Sequence, residues 1–373
     1  MSAPAEEIRQ AVRRYAAEQL APHAARWDRE KEFPREALRG LAEMGLYGVA
    51  ITEEWGGAGM DYTALAVACE EIAAGDCATA TIVAVNNLVA GILSGYGSPA
   101  QKENYLKPLA QGRMLGAFAL TEPQVGSDAS AITTRAERKG GEYVLNGVKQ
   151  FITSGKNADI AVVFAVTDKG AGKKGISAFI VPTSTTGYVV ARIEEKTGQR
   201  ASDTAQIVFD NCRTEHLLGT EGAGYRIALA NLESGRINVA AQATGVARAA
   251  LEAAIAYTRE RKSMGKTLIE HQAVNFRLAD MATQVEAARQ LYLHAARLRD
   301  AGQPCLKEAS MAKLFASEMA ETVCSDAIQV HGGYGYVADF PVERYWRDVR
   351  VTKIYEGAND IQRLVIGRAL EGE

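Results

Sequence analysis

The chain has 373 residues, 47% of them hydrophobic, enough to bury the cores of two or three packed units. Its 42 Lys plus Arg against 45 Asp plus Glu leave a formal net charge of −3, which removes any general attraction to phosphate backbones and argues against a nucleic-acid partner. Five cysteines, Cys69, Cys77, Cys212, Cys305 and Cys324, are odd in number, widely spaced and without a C-x-x-C pair, so neither a disulfide framework nor a thiolate metal site is expected and a reducing cytoplasm fits.

The opening stretch MSAPAEEIRQAVRRY is amphipathic, mixes charges of both signs and has no apolar signal region. No later stretch reads as apolar for about 20 residues, so neither secretion nor membrane insertion is expected. Ile8, Val12, Tyr15 and Ala16 fall at helical spacing, with Pro22 expected to break the run. Pro34 opens a second helix carrying Leu38, Leu41 and Met44. After the Gly-rich loop ITEEWGGAGMDY comes a long Ala-rich helical stretch, so residues 1–117 read as an all-α domain.

From residue 118 the texture turns to short β-type runs: GEYVLNGVKQFIT, with Asn146-Gly147 expected as a hairpin turn, then IAVVFAV, GISAFIVP, GYVVARI and AQIVFDNC. Residues 118–223 therefore read as a central β domain. Helical texture returns over 224–373, where Val274, Leu278, Met281, Val285, Ala288, Tyr292 and Ala295 alternate at four and three and form a seam suited to helix packing. The resulting order, helices then strands then helices, is an α+β arrangement and not the βαβ alternation of a doubly wound nucleotide-binding sheet.

The common motifs fail. KGAGKKG (169–175) lacks phosphate-loop spacing and reads as a turn between strands. Gly332-Gly333-Tyr334-Gly335 follows a helix and reads as its C-cap, and the five His contain no i, i+4 pair for a metal. What remains is a set of polar, Gly-rich segments unlike core: FALTEPQVGSD, QFITSG, LESGR, RKSMGK, QVHGGYG and IYEGAND.

These six segments, in this order, resemble those of the acyl-CoA dehydrogenases, and the likeness covers essentially the whole chain. The resemblance implies an N-terminal helical domain, a central β-barrel-like domain and a C-terminal four-helix bundle. It implies FAD as cofactor and oxidation of an acyl-CoA to trans-2-enoyl-CoA, with β-hydride transfer to flavin N5. Glu356, in IYEGAND, matches the base that removes the α-proton, a role a carboxylate can fill only if its surroundings raise its pKa. A few subfamilies carry the base at the position of Gly235, which here has no side chain.

By the same matching, FAD contacts fall on Phe118, Leu120, Thr121, Ser127, Phe151 and Thr153, with Phe151 replacing a frequent tryptophan. Arg261, Gln272, Gln329 and Gly333 match positions that reach FAD across a subunit boundary, Arg261 being a natural pyrophosphate partner. Asn359 and Asp360 match flavin contacts, although Ala358 replaces a frequent threonine and Gln124-Val125 departs from a glycine-containing pair. Ser127, Glu233, Gly235, Arg236 and Gly357 match acyl-CoA contacts. The stretch VAVNNLVAGILSGYGS (83–98) and LESGRINVA look like the short-chain, butyryl-type members. Electron-transfer flavoprotein as acceptor and a homotetramer are the family expectation. The competing readings are an oxidase that passes electrons to oxygen, against which the chain length argues, and a catalytically silent acyl-CoA-binding homologue, which would have no need of Glu356.

Overall fold

In the computed structural model, which describes residues 3–372, the first helical run is α1 (Ala3–Tyr15), and Pro22 does not break it. The chain passes through a π-helical turn at Ala16–Leu20 straight into α2 (Ala21–Glu30), with Pro22 in the first turn of α2, where its missing N–H removes no bond. Helix α3 (Arg35–Glu43) follows Pro34 and buries Leu38 and Leu41. Helices α4 (Tyr62–Gly75) and α5 (Cys77–Tyr96) start at Asp61 and Asp76, whose carboxylates accept the N–H groups of Ala64 and Thr79 at 2.8 Å each. Two short helices, α6 (Pro99–Gln101) and α7 (Lys107–Ala110), close the N-terminal third.

Contrary to the sequence expectation, α5 is long and apolar enough to cross a membrane by composition, with a mean hydropathy of 1.6 over its best window. It is the core helix of the N-terminal region, packed between α4, the later helix α8 and the first strand, which is where its apolar surface goes.

The strands are β1 (Gly116–Ala119), β2 (Arg135–Lys139), β3 (Glu142–Thr153), β4 (Ile160–Val166), β5 (Ile176–Pro182), β6 (Tyr188–Ile193), β7 (Thr204–Thr214) and β8 (Leu217–Leu218). They form one mixed sheet in the order β6-β7-β3-β2-β4-β5-β8, with β1 parallel to β4. Because β7 runs through two residues into β8, and β8 pairs with β5, the sheet curls back on itself like a barrel. Strands β4 and β5 read as unbroken apolar runs because both faces are covered: Ala161, Val163 and Phe179 enter the larger core, and Val162, Phe164 and Ile180 the smaller one.

Asn146-Gly147 is not a hairpin turn. Strand β3 runs on through it, the turn lies at Gly140-Gly141, and the pair forms a bulge against β7, where register slips between Leu145 and Gly147. Gly147 has φ +152°, and any Cβ there would meet Thr134, so the glycine serves a close approach between strands. KGAGKKG is a 3₁₀ turn joining β4 and β5.

The C-terminal helices are α8 (Gly224–Glu260), α9 (Gln272–Asp300), α10 (Leu306–His331), α11 (Val342–Val349) and α12 (Asn359–Gly372). Helix α10 packs along α8, α9 and α12. The predicted seam of α9 is real: Leu278, Met281, Val285, Ala288, Tyr292 and Ala295 are buried. Gly332 (φ +62°) caps α10, and His331 is structural, stacked on Tyr257 with Nδ1 2.8 Å from the Ala327 carbonyl. Arg248 of α8 and Arg289 of α9 converge on the buried Glu70 of α4 (3.1 and 2.8 Å), and Arg13 of α1 reaches its neighbour Glu71 (2.8 Å), which fixes the N-terminal helices onto the bundle. All five cysteines are buried free thiols.

Candidate active site

The turn Tyr355–Ala358, between a 3₁₀ turn and α12, carries two consecutive residues of left-handed backbone, Glu356 (φ +53°) and Gly357 (φ +86°). For Gly357 this is free; for Glu356 it is strained and must be held by its surroundings. Gln362 of α12 donates to the carbonyls of Glu356 (3.2 Å) and Gly357 (2.8 Å), and Lys313 of α10 donates to the Gly357 carbonyl at 2.8 Å. Tyr355 donates its hydroxyl to Gln242 of α8 (2.6 Å) and receives Gln199, from the segment before β7, at 3.3 Å.

Held this way, the Glu356 side chain lies against α8 at Gly235. A Cβ built on Gly235 would run into Glu356 Oε2 and stand 3.0 Å from its Cδ, so the glycine makes the space the carboxylate occupies. Oε2 is buried and has no hydrogen-bond partner. Burial pushes Glu356 up to about 7, against the pull of the Arg236 and Lys313 charges. Arg236 is itself buried, its Nη1 3.3 Å from Ser310 and its Nε without a partner. Lys313 is fully buried, its Nζ also donates to Asn359 Oδ1 (2.8 Å), and burial pushes it down to about 8.

Of the positions matched from sequence, Gly235, Arg236, Glu356, Gly357 and Asn359 thus meet in one place. Asn359 is not free for a ligand: its amide is spent on Lys313, Ser317 and Glu318 of α10, which anchors the start of α12. Asp360 is exposed and pairs with Arg363. Glu233 lies one turn before Arg236 and binds Arg299 (2.9 Å) and the Cys305 thiol (3.2 Å). Arg299 in turn covers the Tyr62 ring, and Tyr62 lines a cavity of about 180 Å³ with Ile51, Leu65, Asn87, Gly91 and Ser94. A larger groove of about 930 Å³, between α2, α3 and the β domain, holds none of the site positions matched through the family resemblance.

The β-domain positions form a second group. Phe118 packs on Phe164 (5.1 Å between centroids), the Leu120 carbonyl takes Lys149 Nζ (2.9 Å) and the Thr121 carbonyl takes the Gln150 N–H (2.8 Å), so the end of β1 abuts the end of β3. There Phe151 stands 62% exposed at φ +59°, which excludes a core role for it. Thr153 pairs with Thr204, five residues after Gln199, the residue that reaches the Tyr355 hydroxyl. Ser127 is exposed on a loop whose Asp128 feels the charge of Lys173, and Lys173 lies over the Tyr225 ring at the start of α8.

Arg261, Gln272, Gln329 and Gly333 form a third, exposed group at the far end of the bundle, where Arg261 sits over the Tyr334 ring (5.8 Å). Counting from Gly235 to Arg261 along α8 gives 26 residues, roughly 39 Å, a gap no side chain spans.

Sequence reasoning missed Lys313, Gln362, Gln199 and Gln242. A lysine set among the small residues Ala309, Ser310, Ala312, Ala316 and Ser317 is the one signal that pointed to the first of them.

Residues 2–113, 117–212 and 222–371 match the N-terminal, middle and C-terminal domains of acyl-CoA dehydrogenase. The chain is 46% identical to the short-chain specific acyl-CoA dehydrogenase of Rattus norvegicus mitochondria, over 96% of this chain and 88% of the relative. Among solved structures, butyryl-CoA dehydrogenase from Megasphaera elsdenii superimposes with a TM-score of 0.97 at 40% identity, covering 100% of this chain and 99% of the other. A chain from the structural work on the electron transferring flavoprotein of Acidaminococcus fermentans gives 0.98 at 44% identity, again over 100% and 99%. The buried carboxylate beside a glycine, set in this helix, sheet and helix order, is therefore found in a chain that belongs to the acyl-CoA dehydrogenases, oxidoreductases acting on CH–CH bonds, and is similar to their short-chain members.

Proposed function

We propose that this chain oxidises short-chain acyl-CoA thioesters to trans-2-enoyl-CoA, with Glu356 removing the α-proton, FAD as resident cofactor and electron-transfer flavoprotein as acceptor. The observation that carries the reading is the state of Glu356: a buried carboxylate with an unpartnered Oε2, raised to about 7, lodged in the space that Gly235 leaves on α8. At neutral pH such a group is poised between accepting and holding a proton.

The residues suit a flavin. Phe151 is a large aromatic face left bare by its own chain, flanked by Thr153 and Thr121, and would pack on the ring system. When bound, FAD supplies the two-electron sink that takes the β-hydride at N5. The chain does the rest. The Glu356 N–H, fixed by the pinned turn, is the donor assigned to the thioester carbonyl, whose developing negative charge it would stabilise. Arg236 and Lys313 balance the carboxylate on the protein side, and Glu233 and Ser127 are assigned to the CoA arm by their match to the family's acyl-CoA contacts. The third group, out of reach of Glu356 on its own chain, is assigned to the FAD of a neighbouring subunit in a homotetramer, with Arg261 at the pyrophosphate. A cytoplasmic location fits the five free thiols.

The test is Glu356→Gln, purified with its flavin and assayed on a panel of straight and branched acyl-CoAs from propionyl to dodecanoyl with ferrocenium as acceptor. Flavin should remain while kcat falls about 10²- to 10⁴-fold. Retained turnover would require another base, and rapid peroxide formation by the parent enzyme in air would make it an oxidase.

A further inference from the structure

The fully buried Lys313 on α10 contacts the turn at the Gly357 carbonyl, yet the proposed reaction uses it only as a charge. We propose that Lys313 is the positioning residue of the catalytic turn: it fixes the Gly357 carbonyl so that Glu356 faces Gly235, and it supplies a cation that favours the ionised base. This rests on Glu356 being the base.

The contrast with a purely structural buried lysine is available in the same chain. Lys149 is equally buried and pairs directly with Glu122 at 2.9 Å. Lys313 forms no direct salt bridge among the described residues; its donors go at 2.8 Å each to two neutral acceptors, the Gly357 carbonyl and Asn359 Oδ1. A buried ammonium without a contacting carboxylate is expensive to keep charged. The main charge that compensates it is that of Glu356, one residue before the carbonyl it holds, with a smaller share from Glu318.

The acceptor it holds is also the mechanically sensitive one. Gly357 has no Cβ to restrict it, so its carbonyl can rotate at small cost unless tied down, and the strained Glu356 precedes it directly. Lys313 and Gln362 bind the same Gly357 oxygen from two helices, and Ser317 and Glu318 fix Asn359, the lysine's second acceptor. The charged and titratable groups around Glu356 are Arg236 from α8, Lys313 from α10 and Tyr355 from its own turn; those around Lys313 are Glu356, Arg236 and Glu318; α12 contributes the neutral Gln362 and Asn359. Removing the lysine charge leaves Arg236 as the one cation facing the carboxylate. Glu356 then holds its proton to higher pH, and the acid limb of the rate moves up.

The test compares kcat and KM from pH 5 to 10 for flavin-loaded Lys313→Gln, Lys313→Met and Lys313→Arg. For Gln and Met the acid limb should move up by about one pH unit, with kcat at pH 7 down at least about tenfold and KM changed less than about threefold. Lys313→Arg should keep the limb in place. An unmoved limb in whichever neutral variant folds with flavin overturns the proposal, as does an upward shift in Lys313→Arg as large as in the neutral variants. Should neither neutral variant fold, the position of the Lys313→Arg limb alone decides, in place supporting and displaced overturning. Turnover retained in Glu356→Gln refutes the base assignment instead, whatever the lysine variants do.

Discussion

Two glutamates, Glu122 and Glu356, each place a carboxylate in the interior with a fully buried lysine close by, and they behave in opposite ways. In the β domain, Glu122 accepts from Lys149 Nζ (2.9 Å), from the N–H groups of Thr133 (2.7 Å) and Thr134 (2.9 Å), and from the Thr133 hydroxyl (2.9 Å). Burial alone would raise it; the lysine charge and these hydrogen bonds outweigh burial and hold Glu122 down at about 2. In the bundle, Glu356 has cations nearby but its Oε2 receives no hydrogen bond, burial wins, and the group sits at about 7. The difference teaches that a neighbouring charge does not by itself settle a buried carboxylate. What decides is whether donors contact its oxygens: with them it is a structural ion, without them a base with a free lone pair.

The comparison breaks most directly if Glu356→Gln and Glu122→Gln fail to separate function from stability. Glu356→Gln should show the largest effect, the loss of about 10²- to 10⁴-fold in kcat, while its denaturant unfolding free energy at pH 8 falls by less than about 1 kcal/mol or rises. Glu122→Gln should do the reverse, losing roughly 3–5 kcal/mol by strengthening nothing and stranding Lys149. Next in size is Gly235→Ala, whose methyl displaces the carboxylate without changing its chemistry; stopped-flow bleaching of the flavin should slow by as much as about a hundredfold.

The pH dependence of unfolding sharpens the contrast because the two signs oppose. Glu122 is lower in the fold than its ordinary 4.5, so its stabilisation is present above pH 4.5 and is lost as pH falls through about 2. Glu356 is higher than 4.5, so the fold binds that proton more tightly and stability declines as pH rises from 4.5 to about 7, a decline that should be absent in Glu356→Gln. The smallest effect is expected from Thr133→Ala, which leaves most of the Glu122 donors in place and should cost about 1 kcal/mol in a melt.

Much of the fold was legible along the chain. The change from period 3–4 to short apolar runs near residue 118 marks where helices give way to β1 at Gly116, and the return near Gly224 marks the start of α8. Where the reading went astray, a residue had two local uses. Asn146-Gly147 suits a hairpin turn and a bulge equally, and contact with Thr134 chose the bulge. Pro22 suits a break and a first helical turn equally, and a π-helical turn ahead of it kept the helix going. Apolar α5 suits a membrane and a protein core equally, and its neighbours α4 and α8 decided.

The site divides in the same way. The sequence by itself determined the inventory: a glutamate before a glycine in IYEGAND, a glycine before an arginine in LESGR, an aromatic at Phe151, and six segments in an order that resembles one family. It could do so because those groups sit in short motifs whose chemistry is local. Only the tertiary structure decided that Gly235 and Glu356, far apart in the chain, share one space, that Arg261 lies about 39 Å along α8 from them, and that Lys313, Gln362, Gln199 and Gln242 hold the turn. Those facts depend on burial and on contacts between helices and sheet, and neither is written in the identity of a lysine or a glutamine until the chain has packed around it.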